Sequence, residues 1–210
     1  EKTIKASTNI SLTAASYDLL GSIYDQDHKS TQAIEAYKKG IEVNPKYQRL
    51  HYNLGITYFR NKQYPEAEAS AIEAIKLDPK HASSQRMYAL VTFHQNKRVP
   101  ALMAFCNFLM LEPQTARSAE AYGNIQHILQ GGVLKDSKGN STIMLSPKDN
   151  QDNSTLNLAI SMTVLAGQQS KLTGMELLEY ELKHIFGMAG GLADKKTDKD
   201  FSDKFYADYF

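Results

Sequence analysis

The sequence predicts an all-α fold of stacked helical hairpins, and three observations predict it. Pro45, Pro79 and Pro113 recur every 34 residues, and so do Ala33, Ala67 and Ala101. Small and large apolar residues surround these markers at helical rather than strand spacing. The composition, 42% apolar and 22% charged, allows such a chain to bury a core and excludes wholesale disorder. A hairpin of this length cannot cover its apolar face alone, so three copies stack on one another.

The elements follow in order. Residues 1–13 form an N-terminal segment or lead-in helix. Repeat one, residues 14–47, carries Tyr17, Leu20, Gly21 and Tyr24 before Ala33, then Tyr37 and Gly40. Repeat two, 48–81, has Leu54, Gly55 and Tyr58, then Ala67, Ala71 and Ala74; repeat three, 82–115, has Tyr88, Ala89 and Thr92, then Ala101, Phe105 and Phe108. Gly21, Gly55 and Ala89 are small enough for close helix approach. The Asn-Pro, Asp-Pro and Glu-Pro pairs end each second helix, because a residue before proline avoids the α region. Pro65 and Pro100 fall in first turns, and Ser30 is the expected N-cap of the second helix of repeat one.

Beyond Thr115, Ala119, Tyr122, Gly123 and Ile125 continue the pattern as a partial fourth unit over 116–130, stopped by Gly131-Gly132. Residues 131–153 form a loop or a β-hairpin insertion, with Val133-Leu134 and Thr142 to Leu145 flanking a turn-rich centre. A C-terminal helical capping region follows over 154–210. Leu156, Ala159, Ile160, Thr163, Val164 and Gly167 mark one helical face and Leu158, Met162 and Leu165 the opposite one, which predicts a helix buried on both. Thr173 to Glu176 reads as a capping box opening a helix with a Leu178, Leu182, Ile185 stripe that ends near Gly187 to Gly191. Asp194 to Asp200 is a charged linker, and the aromatic stretch Phe201 to Phe210 docks as a short helix.

The phased positions of residues 14–115 resemble the tetratricopeptide repeat; three units of 34 are 102 of the 210 residues. The resemblance implies a right-handed superhelical solenoid whose first helices line a concave groove. Carried over position by position, it assigns ligand contacts to Arg49, Tyr52, Asn53, Ile56, Phe59 and Arg60 in repeat two. In repeat three it assigns them to Arg86, Leu90, Phe93 and His94, and in the partial fourth unit to Arg117 and His127. Repeat one offers Asp18, Ser22 and Asp25 at equivalent places.

Only five of the 24 basic side chains are arginines, and four of these, Arg49, Arg60, Arg86 and Arg117, fall on groove positions. Guanidinium forks suit bidentate carboxylate recognition, and the aromatics beside them supply stacking surface. The expected function is therefore non-catalytic: binding an extended, partly acidic segment of another protein. Against it stands a reading in which the aromatics pack on the C-terminal helices and the arginines pair with Asp18, Asp25 and Glu120. A structural role, self-assembly into a homo-oligomer through the solenoid end and the aromatic tail, is the alternative function. The resembling subfamily that clamps chaperone C-termini uses Lys and Asn where this chain has Asp18 and Ser22, Asn in unit two, and Lys and Arg where this chain has Ser83 and Met87; only Asn53 matches.

A net charge of +1 provides no drive onto nucleic acid. No apolar run reaches the length of a membrane span. The single Cys106 excludes an internal disulfide and reads as a small buried hydrophobe. No phosphate-binding loop, nucleophile elbow or zinc-protease motif is present, so neither an enzyme, a cofactor nor a metal is expected. Glu181 and His184 read as a surface or capping pair, and Asp149 to Asn153 as a helix-capping linker. The first residue is Glu1, which fits a removed secretion signal or a trimmed chain; the expectation leans to a periplasmic or secreted protein, with a cytoplasmic one as the alternative.

Overall fold

The computed structural model describes residues 9–130, 133–135, 141–143 and 151–206. The helices are α1 (Ile10–Gln26), α2 (Ser30–Val43), α3 (Gln48–Arg60), α4 (Tyr64–Leu77), α5 (Ala82–His94), α6 (Arg98–Leu111), α7 (Ala116–Gln130), α8 (Gln151–Gln169), α9 (Gly174–Ala193) and α10 (Phe201–Phe205). Strands β1 (Val133–Lys135) and β2 (Ser141–Ile143) pair antiparallel, with Leu134 opposite Thr142. Two compact bodies divide the chain, residues 1–91 and 92–210. The expectations for the tail beyond Tyr206 and for Asp149 lie outside the described residues.

The alanine markers are buried throughout, whereas Pro45, Pro79 and Pro113 are exposed at the helix ends. Ala33, Ala67 and Ala101 are all fully buried, as are Ala71, Ala74, Ala89, Phe105 and Phe108. In the first body the small residues are required by contact. A Cβ on Gly21 would stand 2.4 Å from Tyr37 Cε1, and one on Gly40 would stand 2.8 Å from the Leu50 methyls. Each prolyl pair ends its helix in the same way: Asn44, Asp78 and Glu112 sit at φ −140°, −144° and −138° with ψ near extended values (88°, 90° and 75°).

The hairpin turns repeat with equal fidelity. His28, Lys62 and Asn96, 34 residues apart, take the left-handed conformation at φ 58°, 59° and 60°. That conformation lets the next amide, of Lys29, Gln63 and Lys97, donate to the carbonyls of Tyr24, Tyr58 and Thr92 at 2.8–2.9 Å, which satisfies the end of each first helix. None of the three is glycine, so composition did not advertise the turn.

Several boundaries differ from the sequence expectation. Helix α1 begins at Ile10, a turn before the repeat, because the Asn9 carbonyl oxygen of the side chain caps the Leu12 amide at 3.0 Å. Ser30 is the first residue of α2 rather than its cap; Lys29 occupies the cap without a side-chain bond. Thr173 precedes α9 but makes no capping bond. That helix runs through Gly187, Gly190 and Gly191 to Ala193 because Ile185, Phe186, Ala189 and Ala193 keep a continuous buried face. Helix α8 buries one face, not two: Ile160 and Val164 are inside while Met162 is 57% exposed. The capping box appears instead on α10, where Asp200 and Asp203 exchange bonds and Tyr206 is fully buried.

In the second body, Arg98 ties three helices together. Its buried guanidinium donates to the Ile128 carbonyl near the end of α7 at 2.6 Å and reaches the Asn157 carbonyl and Ser161 hydroxyl of α8 at 3.5 Å. A cation at a helix C-terminus meets the negative end of the helix dipole.

Candidate functional site

In the first body, helices α1 and α3 present one wall. The pleat of that wall is set by Gly21, which lets Tyr37 approach α1 and places its hydroxyl 3.4 Å from Ser22 Oγ. Burial, the main cause, raises the Tyr37 hydroxyl above the usual tyrosine value. Asp18, only 1% exposed, accepts from Arg49 Nε at 2.6 Å and from Asn53 Nδ2 at 2.6 Å. The bond to Asp18 also raises the Arg49 guanidinium above its ordinary value. Two turns further along α1, Asp25 pairs with Arg60 and receives Thr57 Oγ1 at 3.3 Å.

Beside these pairs lies a cleft of about 720 Å³ lined by Ser22, Asp25, Tyr52, Asn53, Ile56 and Arg60. Tyr52 is steadied by His81, whose ring meets it edge-on at 5.2 Å. His81 is in turn held beside Ser84 Oγ at 2.8 Å, to which Gln48 also donates at 3.0 Å. Four sequence-derived residues of repeat two therefore share one cavity. Phe59 does not join them; its ring packs 5.8 Å from Tyr64 at the start of α4. Arg86 and Leu90 are half-buried on α5.

In the second body, Phe93 stands edge-on to His127 at 5.6 Å and to Phe105 at 6.5 Å, with His94 at 5.9 Å. Arg117 ion-pairs with Glu112 and lies over the Phe108 ring at 5.8 Å. Arg49, Arg60 and Arg117 thus have internal carboxylate partners. Arg49 and Arg60 take the competing partners named from sequence, Asp18 and Asp25, and Arg117 takes Glu112, which lies just across the turn into α7.

The other candidates separate. Glu181 is buried at 7% exposure, which corrects the expectation of a surface pair, while His184 is exposed and donates from Nδ1 to the Tyr180 carbonyl at 2.7 Å. Burial raises the Glu181 carboxyl above the usual glutamate value. Cys106 is half-buried, and desolvation pushes its thiol up to about 12. Among the described residues no cluster of three metal-ligating side chains occurs, and no helix is long and apolar enough to cross a membrane.

Comparison with known proteins agrees with this architecture. The family model described as TPR repeat matches residues 21–62, and that described as Tetratricopeptide repeat matches residues 49–81. Tetratricopeptide repeat protein 6 of Homo sapiens is 32% identical over 78 residues, which are 37% of this chain and 15% of that protein. The chain therefore spans only a small part of that relative's length. The first TPR of Spaghetti (RPAP3), solved bound to the HSP90 peptide SRMEEVD, aligns at 25% identity and TM-score 0.53, covering 55% of this chain and 92% of that one. The Arabidopsis OM64 TPR domain aligns at 17% identity and TM-score 0.52, over 54% and 94% of the two chains. These likenesses make the fold an all-α tetratricopeptide solenoid. Over residues 21–81, where the two models match, the chain carries tetratricopeptide repeats.

Proposed function

We infer that the chain is a non-catalytic protein-binding module that holds an extended segment of a partner against α1 and α3. The observation that carries this is the cleft of about 720 Å³ that gathers Tyr52, Asn53, Ile56 and Arg60 beside the anchored Arg49. An aromatic, an aliphatic and an amide side chain around one cavity suit a peptide with apolar side chains and exposed backbone groups. Arg49 and Arg60 remain 61% and 62% exposed despite their internal partners. With one edge of the Arg49 fork fixed by Asp18, its outer N–H groups are preoriented toward a carboxylate on the ligand, which supports the partly acidic segment. The likeness to a solved repeat domain that carries an HSP90 peptide supports a peptide ligand in general. The chaperone clamp itself is disfavoured, because buried Asp18 stands where that clamp needs a basic or amide side chain.

Affinity capture from source extract tests this, with the wild-type chain beside a Tyr52→Ala/Arg60→Ala variant of matched thermal midpoint. A partner retained by the wild type and lost by the variant is the expected result. Equal retention removes the interface from this cleft.

A second reading, self-association, rests on α1. Leu12, Leu19 and Ile23 are 59%, 62% and 46% exposed, whereas Thr57 and Val91, the counterparts of Ile23 in later repeats, are 1% and 0% exposed. The first repeat thus shows solvent a face that later repeats bury. Sedimentation at rising concentration, with Leu19→Lys beside the wild type, checks this reading: a mass independent of concentration removes it.

A further inference from the structure

The second body contains a separate cleft of about 420 Å³ between α7, α8 and α9. Leu129, Val164, Leu177 and Leu178 form its apolar lining, and Gln126, Gln130 and Gln168 contribute amides. The charged group of the lining is Glu181. Gly167 makes room for it: a Cβ there would stand 3.2 Å from Glu181 Oε1 and 2.8 Å from a Leu177 methyl. Among the described residues, nothing donates a hydrogen bond or an opposite charge to this carboxyl, although the residue is only 7% exposed.

A carboxylate in a largely apolar cleft, only partly hydrated and without a partner, is stabilised by taking up either a proton or a cation. The walls provide no cation. They do provide an apolar cleft, open to solvent, that an alkyl chain fills beside the acid. One carboxylate among amides is too few charged oxygens for a resident calcium or magnesium ion. Burial holds the Glu181 proton more tightly than usual, as an unmet acid should.

We propose that this cleft binds an organic cation, an ammonium or guanidinium on an apolar stem, with Glu181 as its counter-ion and Leu129, Val164, Leu177 and Leu178 enclosing the stem. The chemistry is shared by a small alkylamine and by a lysine or arginine side chain of a partner.

Methyl-resolved NMR titration of the full chain at neutral pH tests it, with hexylammonium, the isosteric neutral hexanol and amide-capped lysine as probes. Hexylammonium is expected to shift the Leu129, Val164, Leu177 and Leu178 methyls and to bind at least tenfold more tightly than hexanol. Glu181→Gln, with folding verified by circular dichroism, is expected to lose at least tenfold for the cations and to leave hexanol unchanged. Capped lysine binding more tightly than hexylammonium would assign the site to a protein side chain, and the reverse order to a free amine. Equal affinity of hexanol and hexylammonium for the wild type, or no shift of those methyls, overturns the proposal whatever the variant does.

Discussion

Asp18 Oδ2 lies 2.6 Å from Arg49 Nε while its other oxygen lies 2.6 Å from Asn53 Nδ2, so one carboxylate, 1% exposed, joins α1 to two successive turns of α3. The two ends of this pair differ: Asp18 is inside, and Arg49 is 61% exposed. Arg49→Ala should therefore cost about 1–2 kcal/mol, below the usual loss for a fully buried pair because solvent screens the arginine. Asp18→Asn in the Arg49→Ala background should recover part of that loss, since the uncompensated charge is gone. Urea midpoints of the two single variants and the double variant give the coupling. Additive losses would show that the pair is incidental.

Glycines of similar sequence context should respond oppositely. Gly21→Ala forces a methyl into the Tyr37 ring and should cost about 1–3 kcal/mol. Gly123→Ala, on α7 with nothing within 4 Å of the new methyl, should gain about 0.5–1 kcal/mol from helix propensity. Thermal unfolding of both variants tests the contrast.

The left-handed turns predict a stabilising substitution. Lys62 holds φ 59°, a conformation that disfavours side chains with a Cβ. Lys62→Gly should gain up to about 0.5–1 kcal/mol, while Lys62→Val should lose more than that because β-branching suits this region least. Denaturant titration of the pair suffices, and equal stabilities would remove the argument.

Glu181 predicts a pH dependence with a definite sign. Its folded carboxyl titrates above the ordinary glutamate value because burial disfavours the charge. The folded chain therefore binds this proton more readily than the unfolded chain, and the group's contribution is complete below the unfolded value, about 4.3. It is lost as pH rises through the folded value. Glu181→Gln, which never ionises, should be more stable than the wild type at pH 7 and indistinguishable from it below pH about 4. Parallel stability curves across that range would refute this.

Arg98 should hold the second body together. Arg98→Ala removes the donors to the Ile128, Asn157 and Ser161 oxygens and should cost about 2–4 kcal/mol. Arg98→Met keeps the apolar stem and should recover a minority of the loss. Amide exchange should accelerate in α6, α7 and α8 before it does in α1 to α4; uniform acceleration would count against a local role.

Much of the fold was legible because it is written in period. A 34-residue recurrence of alanine, proline and small residues constrains backbone geometry locally; the alanines are buried where the spacing placed them and the prolines end the helices at the surface. The hairpin turns were not legible because His28, Lys62 and Asn96 share no residue type and none is glycine, although asparagine and histidine tolerate the left-handed region better than lysine. Tyr52, Asn53, Ile56 and Arg60 could be assigned to one cavity from their positions in the repeat, since helical spacing aligns them.

The arginines show where that legibility stops. Sequence put Arg49, Arg60 and Arg117 on suitable helical positions, but whether a fork faces outward or turns to a neighbour depends on carboxylates 31 to 35 residues away in Asp18 and Asp25, and five away in Glu112. Nor could it show that Glu181, one turn before Ile185, lines a largely apolar cleft. Beyond residue 130 no period phases one helix against the next, so burial there follows from packing. The sequence by itself determined the repeats, their helices and the positions available for binding, because these depend on local spacing. Only the tertiary structure decided which charges are satisfied within the chain and which one, Glu181, still lacks a partner among the described residues, because desolvation and pairing depend on neighbours that spacing alone does not specify.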